Sequence, residues 1–449
     1  MQAVSILERN LKDIWDVFTL ECRRIFTEPG VIIIFFVAGL LYPILYNLVY
    51  HKESVDNLPI AVVDESRSDD SRRFIHKMNA TPEINVCYHC NNMHEAKRLM
   101  QKRRVNGIVY FPSDYSQRLA SLQTAQISVF CDMSTFLYYK SVLLGCNNVM
   151  LDEMKQIQLQ RYSLAGITGE MGEVLTKPIQ YEVTNLFGKG GYPSFLLPAL
   201  LIMVIHQTLV FGIGMLGGGA REDKMEVELM PAHLRNKSVY RVVLGRALAY
   251  FLIYIPLIAI DLLLIPRIFN LPHIGRLHDV VLFILPFMLA TIFFGMSYSV
   301  LIRERETGLL TTAFFSLILV FICGIVFPLD SMPKVWQWLA AVFPSTHGVQ
   351  GYIKVNSMGA NLTQVKYEFV ALWAQAGFYF ITACIGLAYI NKHRPARARA
   401  KERRGAFDHR VRESVVQRRG RREQRTANAY VAPAVKKKVC NAVNFNDEA

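Results

Sequence analysis

The sequence predicts an α-helical integral membrane protein with six transmembrane helices, a small extracytoplasmic α/β domain inserted after the first, and a disordered basic C-terminal tail. Three observations lead there. Of 449 residues, 52% are hydrophobic and only 19% charged, where a soluble globular chain has about a quarter charged. Six apolar stretches reach the length needed to cross a bilayer, about 20 residues. The formal charge of +14 is uneven: 17 basic and 6 acidic residues fall in 391–449, so the preceding 390 residues are nearly neutral. A basic globular domain for nucleic acid and a wholly disordered chain are both excluded by that pattern.

The six stretches are 30–50, 193–216, 247–266, 280–302, 308–329 and 369–390. Five lack Asp, Glu, Lys and Arg, and the third holds only Asp261. Backbone groups in lipid must pair within their own segment, so these stretches are helices. The first follows a 29-residue segment that contains acids, which does not fit a cleaved signal peptide. It is expected to stay as an anchor. Lys and Arg favour the cytoplasmic flanks. With the N-terminus inside, the inside segments carry 29 basic residues and the short outside loops carry 5. Both termini are therefore expected in the cytoplasm, and segment 51–192 outside.

Before the first span, Leu7, Leu11, Ile14, Phe18, Cys22 and Ile25 recur at helical spacing with charged residues between them. An amphipathic helix over 4–28, lying at the membrane interface or packed in the cytoplasm, is expected. The outside segment alternates strand-like runs (59–64, 83–88, 106–111, 125–131) with helix-like ones (71–79, 94–104, 114–122). Ser66 or Ser68 would cap the first helix, and a longer helix is expected over 136–164. Such alternation predicts a small α/β sheet. The 329–368 segment is broken by Pro333 and Pro344 around an apolar stretch with Trp336 and Trp338. It is too short to span and too apolar for an open loop, so a re-entrant or interfacial helix pair fits. The tail, 391–449, has no apolar period, and its partner is expected to be an anionic lipid surface rather than nucleic acid.

No catalytic motif is present. There is no G-x-x-x-x-G-K-[ST], so any ATP must be bound elsewhere. The glycines at 188–191 and 217–219 lack the Lys-Ser/Thr sequel. Cys87, Cys90, Cys131 and Cys146 lie in the outside segment, where a disulfide is permitted. Cys87, His89, Cys90 and His94 also offer zinc-type ligands, but strand alternation turns Cys87 and Cys90 to opposite faces, and no metal is expected. His206 and Asp261 are intramembrane polar residues and hence candidates for a pathway or for an interhelical bond. The charged loop after the second span, with Arg221, Glu222, Asp223, Glu226 and Glu228, and the RERE turn at 303–306 are either solvated connectors or places where a soluble motor could push.

These features, in order, resemble the permease subunit of ABC-2 type ABC exporters, in the subgroup with a large extracytoplasmic domain after the first helix. The resemblance rests on RRIFTEPGVIIIFFVAGLLYPILY before and in the first span, and on LPIAVVDES and NGIVYFPSDYSQRL in the outside segment. It rests further on REDKMEVELM after the second span and, most specifically, on CGIVFPLDSMPKVWQWLAAVFPSTHGVQGYIK at 323–354. The basic tail departs from the family pattern. The resemblance implies a half-transporter in the bacterial inner membrane, without covalent chemistry or cofactor of its own. It implies a separate ATPase that binds ATP and Mg, and pairing with itself or a paralogous permease. A periplasmic adaptor and an outer-membrane channel are further implied partners. Residues 4–28 would be the connecting helix, and the coupling loop (217–246) would hold the coupling helix near 221–234. Two other readings remain at this level: a membrane-anchored receptor or scaffold, and a proton-coupled carrier using His206 and Asp261.

Overall fold

The computed structural model describes residues 2–50, 55–167, 169–176, 186, 192–222, 239–390 and 392. The tail and most of the loop after the second span lie outside the described residues.

Helix α1 (Gln2–Thr27) ends at Glu28, where Pro29 opens span 1 (Pro29–Tyr50). Spans 2 to 6 are Leu196–Glu222, Val239–Ile268, Leu277–Ser299, Arg305–Ile322 and Lys366–Ile390. All six are long and apolar enough to cross a membrane. Span 2 is the hub. Most of its residues are buried, and it packs on spans 1, 4 and 5, whereas spans 1, 5 and 6 leave most of their apolar surface uncovered. In a lipid-embedded bundle such faces meet acyl chains or another subunit, because lipid offers no penalty for them.

Two span boundaries differ most from the hydropathy reading. Span 3 begins eight residues earlier, at Val239, because Arg241 and Arg246 reach acids of α1 and so continue the helix beyond its apolar part. Span 5 stops at Ile322 rather than 329, because Gly324 adopts φ +87°, a left-handed conformation that ends helices. The chain then forms α6 (Lys334–Ala341) and α7 (Pro344–Tyr352). Helix α6 exposes Trp336 and Trp338, and α7 is buried against spans 2 and 4. A short apolar helix pair is thus present where Pro333 and Pro344 break the 329–368 segment.

The inserted domain is a four-stranded sheet in the order β2-β1-β3-β4, with β1 (Leu58–Asp64), β2 (Ile84–Cys90), β3 (Gly107–Phe111) and β4 (Ser128–Cys131). Strands β1, β2 and β3 are parallel and β4 is antiparallel to β3. The central strand β1 is apolar on both faces, with Ile60 and Val62 in one core and Ala61 and Val63 in another. That is what a parallel strand covered on both sides requires. Helices α2 (Asp69–Asn79), α3 (Met93–Gln101) and α4 (Tyr115–Ala120) follow the first three strands, and α5 (Phe136–Leu164) follows β4. Of the two serines considered as caps, Ser68 fills the role. Its Oγ accepts the Ser71 amide at 3.2 Å, its own amide donates to Ser71 Oγ, and Ser71 Oγ donates to Asp64 at 2.7 Å. Glu153 of α5 is almost wholly buried, and Arg73 and Lys77 of α2 hold it at 2.8 and 2.7 Å. An ion pair placed there fixes the register of α5 on the domain.

Replacing Ser68 by Ala removes one side of this reciprocal cap. The domain is expected to lose about 1 kcal/mol, read as a lower unfolding temperature of the full-length protein, with secondary structure at room temperature unchanged.

Candidate functional site

The densest set of buried charge lies where α1 meets spans 2 and 3, at the end of the bundle away from the α/β domain. Along α1 the buried residues, among those described, are Asp13, Val17, Glu21 and Ile25, one every fourth position. This line shares Ile25 with the apolar stripe seen in the sequence and otherwise runs beside it. Leu11, Trp15 and Phe26 stay exposed, whereas two acids face span 3. The reason is the basic start of span 3. Arg241 Nη1 donates to Asp13 at 2.5 Å, and Arg246 lies 3.6 Å from Glu21. Between them, Gly245 lets the helices close up, since a Cβ there would come within 2.7 Å of the Ile14 carbonyl and Val17.

Glu21 also accepts from Tyr250 Oη at 2.5 Å and from Arg24 at 3.1 Å. Burial acts to raise its pKa, but Arg24, then Arg246, and the Tyr250 hydroxyl outweigh it and hold the carboxyl below the ordinary value. Burial likewise opposes the charge on Arg24, and Glu21 reverses the effect, so its guanidinium stays ionised. Arg24 reaches further and donates to the carbonyl of Leu216 in span 2 at 2.9 Å. One carboxylate therefore gathers α1 and span 3, and its partner arginine adds span 2.

Span 2 ends in a second clamp. Arg221 donates to the carbonyls of Ser299 and Ile302, at the end of span 4 and in the turn beyond it. Glu222 accepts the amide of Arg305 at 3.2 Å, and the Arg305 side chain returns to Glu28 at 2.8 Å, between α1 and span 1. Arg221 and Glu222 thus hold the RERE turn. Asp223, Glu226 and Glu228, with the rest of the loop to 238, lie outside the described residues. Sequence patterning did not single out Asp13, Glu21, Arg24, Arg241 or Arg246. A signal was present: two acids eight residues apart on α1, opposite two arginines five residues apart at the head of an apolar run.

The other sequence candidates are dispersed. His206 is buried in span 2, stacks on Phe294 with ring centroids 5.8 Å apart, and has no hydrogen-bond partner at either ring nitrogen. Asp261 is buried in span 3 on a π-helical turn (Ile260–Leu264), and its Oδ1 is unpartnered. No hydrogen bond or ion pair joins the two, so no relay runs between them among the described residues. Cys87, Cys90, Cys131 and Cys146 all carry free thiols. Cys87 sits at a register shift between β1 and β2 and is exposed, and Cys90 is buried. Burial, then the neighbouring Cys131, pushes the Cys146 thiol up to about 12. A thiol so far from ionisation is a poor nucleophile. Among the described residues no three His, Cys, Asp or Glu converge as a metal site.

Comparison with known proteins places this architecture. The model of the ABC-2 family transporter proteins matches residues 29–385. The chain belongs to that family. Among its relatives are two Escherichia coli K12 proteins named probable multidrug ABC transporter permeases. YbhR is 20% identical over 341 residues, covering 74% of this chain and 87% of its own. YbhS is 23% identical over 344 residues, covering 73% and 84%. As an ABC-2 family permease the chain is a multi-pass membrane protein and not itself an enzyme, and membership implies an ATPase partner.

Breaking the Glu21 cluster by Glu21→Ala leaves the partly buried Arg24 and Arg246 without their shared carboxylate and is expected to cost about 3 kcal/mol, seen as a fall in unfolding temperature in detergent. The pH dependence has a definite sign. The folded pKa of Glu21 is depressed, so its contribution is complete above the ordinary carboxylate pKa and is lost as pH falls through the lowered value. Glu21→Gln is expected to flatten the acid limb of the stability profile; an unchanged limb would remove Glu21 as its source.

Proposed function

We propose that this chain is the membrane half of an ATP-driven exporter, carrying a drug, lipid or other amphiphile out of the cytoplasm or inner leaflet. A separate ATPase would bind ATP and Mg and dock on the α1 end of the bundle. The observation that carries this reading is the pair of clamps there. Glu21 and Arg24 tie α1 to spans 2 and 3, and Arg221, Glu222 and Arg305 tie the end of span 2 to the turn between spans 4 and 5. A push on this face is shared by four spans instead of bending one loop. Nucleotide binding next door can shift the spans between inward- and outward-facing packings only by favouring one of them. The clamps are contacts that such a shift would act on.

The bacterial inner membrane, with both termini in the cytoplasm, is the setting that the Lys and Arg distribution supports. The α/β domain then stands on the outer side, as in the family subgroup with a large extracytoplasmic domain. It offers itself to a periplasmic adaptor and outer-membrane channel. The uncovered faces of spans 1, 5 and 6 suit a second copy or a paralogous permease. The basic tail, on the inner side, suits anionic lipid. The coupling residues in this reading are Arg221, Glu222, Asp223, Glu226 and Glu228, on and beyond the end of span 2.

The test is substitution at the coupling face in the complex with its ATPase. Arg221→Ala and Glu226→Ala are each expected to leave membrane insertion intact and to lower transport at least tenfold while ATP hydrolysis continues. Transport at the wild-type rate in both variants would withdraw the coupling assignment. Transport by the subunit alone, with no ATPase, would withdraw the exporter reading.

A further inference from the structure

At the end of the bundle nearer the α/β domain, a cavity of about 810 Å³ opens between the chain that leaves span 5, helices α6 and α7, and the start of span 6. Pockets that hold drug-sized molecules span roughly 300–1,000 Å³. Its wall combines apolar and polar groups in a definite arrangement. Thr346 is 1% exposed and lines the cavity, yet its hydroxyl has no hydrogen-bond partner. A buried hydroxyl left unpaired is costly, and a ligand that supplies its partner recovers that cost. Two aromatic residues of the lining, Trp338 and Tyr367, are 77% and 73% exposed.

The charge of the lining is also unbalanced. Lys354 is tied to the buried Glu368 at 2.5 Å, so these two cancel. Asp330 is exposed, lines the same cavity and is in no ion pair among the described residues. One carboxylate is thus left without a counter-charge beside two uncovered aromatic faces, and aromatic faces attract cations.

We propose that this cavity binds monovalent aromatic cations. Trp338 and Tyr367 supply ring faces, Asp330 the counter-charge, and Thr346 a hydrogen bond for a polar substituent. The inference rests on the permease reading and deepens it, because it names the substrate class that would occupy the exit side of the pathway. A uniformly apolar substrate would leave both Asp330 and Thr346 unused. An anion would face Asp330 with its one compensating cation, Lys354, already engaged.

The experiment uses the full-length chain in lipid nanodiscs and two probes of the same shape and opposite charge, tetraphenylphosphonium and tetraphenylborate. Binding is measured by equilibrium dialysis and corrected with empty nanodiscs. Saturable phosphonium binding at least tenfold tighter than borate binding is expected. Asp330→Asn is expected to weaken it about fivefold at low salt and less at high salt. Trp338→Leu is expected to weaken it by about threefold to thirtyfold, while Trp338→Phe, which keeps a ring, retains most of it. Both positions are exposed, and unchanged unfolding temperatures confirm that the variants remain folded. Equal affinity for the two probes, or wild-type phosphonium binding in both Asp330→Asn and Trp338→Leu, would overturn the proposal. Because no ATPase takes part, phosphonium binding by a chain that no ATPase drives would sink only the exporter reading. An ATPase-driven chain with no phosphonium preference would sink only the cavity assignment.

Discussion

A single buried carboxylate, Glu21, sets the packing at the α1 end of this bundle. Taken from water alone it would be strongly unfavourable, and pairing offsets that penalty only when geometry and hydrogen bonding are complete. Here Arg24, Arg246 and Tyr250 surround it. Because the cluster is satisfied only when α1 lies along span 3, α1 presents its acid line to the protein and leaves Leu11, Trp15 and Phe26 uncovered. These exposed apolar residues are then free for the membrane interface, which suits a helix of this kind, while Ile25 and the partly buried Phe18 and Cys22 pack on the bundle core. The protein contact thus mixes acids with Val17 and Ile25, unlike the wholly apolar stripe of a helix on a soluble core.

From Glu21 the packing extends into the bundle. Tyr250, which bonds Glu21, also meets Phe35 of span 1 edge-on, and so does Tyr254 one turn further along span 3. Phe35 sits on a π-helical turn (Ile33–Ala38), and span 3 carries its own π-helical turn at Ile260–Leu264, where Asp261 lies. A π-turn adds a residue to one helical turn and rotates every side chain beyond it, and such turns recur at functional sites. In span 3 the turn divides the helix into a section fastened to α1 and a section that faces the opposite end of the bundle. A third π-turn, Ile353–Ser357, follows α7, and there the Asn356 carbonyl accepts the amides of Ile274 and Gly275 at 2.9 Å. The ends of spans 3 and 4 away from α1 are thereby joined to the chain that walls the cavity.

The α/β domain is organised on different terms. Its two cores lie on either side of β1, and its buried Glu153 is matched by Arg73 and Lys77 from a helix 80 residues earlier. Polar pairing in it fixes the register of helices on a sheet, whereas in the membrane part it fixes helices to one another.

Alone, the sequence determined the number of spans, the four strands, the long helix over 136–164 and the short helix pair around Pro344, because each rests on a local property: apolar length, period or a proline. It also determined the family, through motifs whose order is a property of the chain. The tertiary structure decided which face of α1 is buried, where span 3 begins, and what Arg221 and Glu222 hold. Those outcomes depend on charges far apart in the chain, such as Asp13 with Arg241 and Glu21 with Arg246. An acid on an amphipathic helix reads as solvated until its partner is brought beside it. The cavity beside Thr346 and Asp330 was hidden too, since its walls come from the chain leaving span 5, α6, α7 and the start of span 6, and the volume between them has no signature in any one of them.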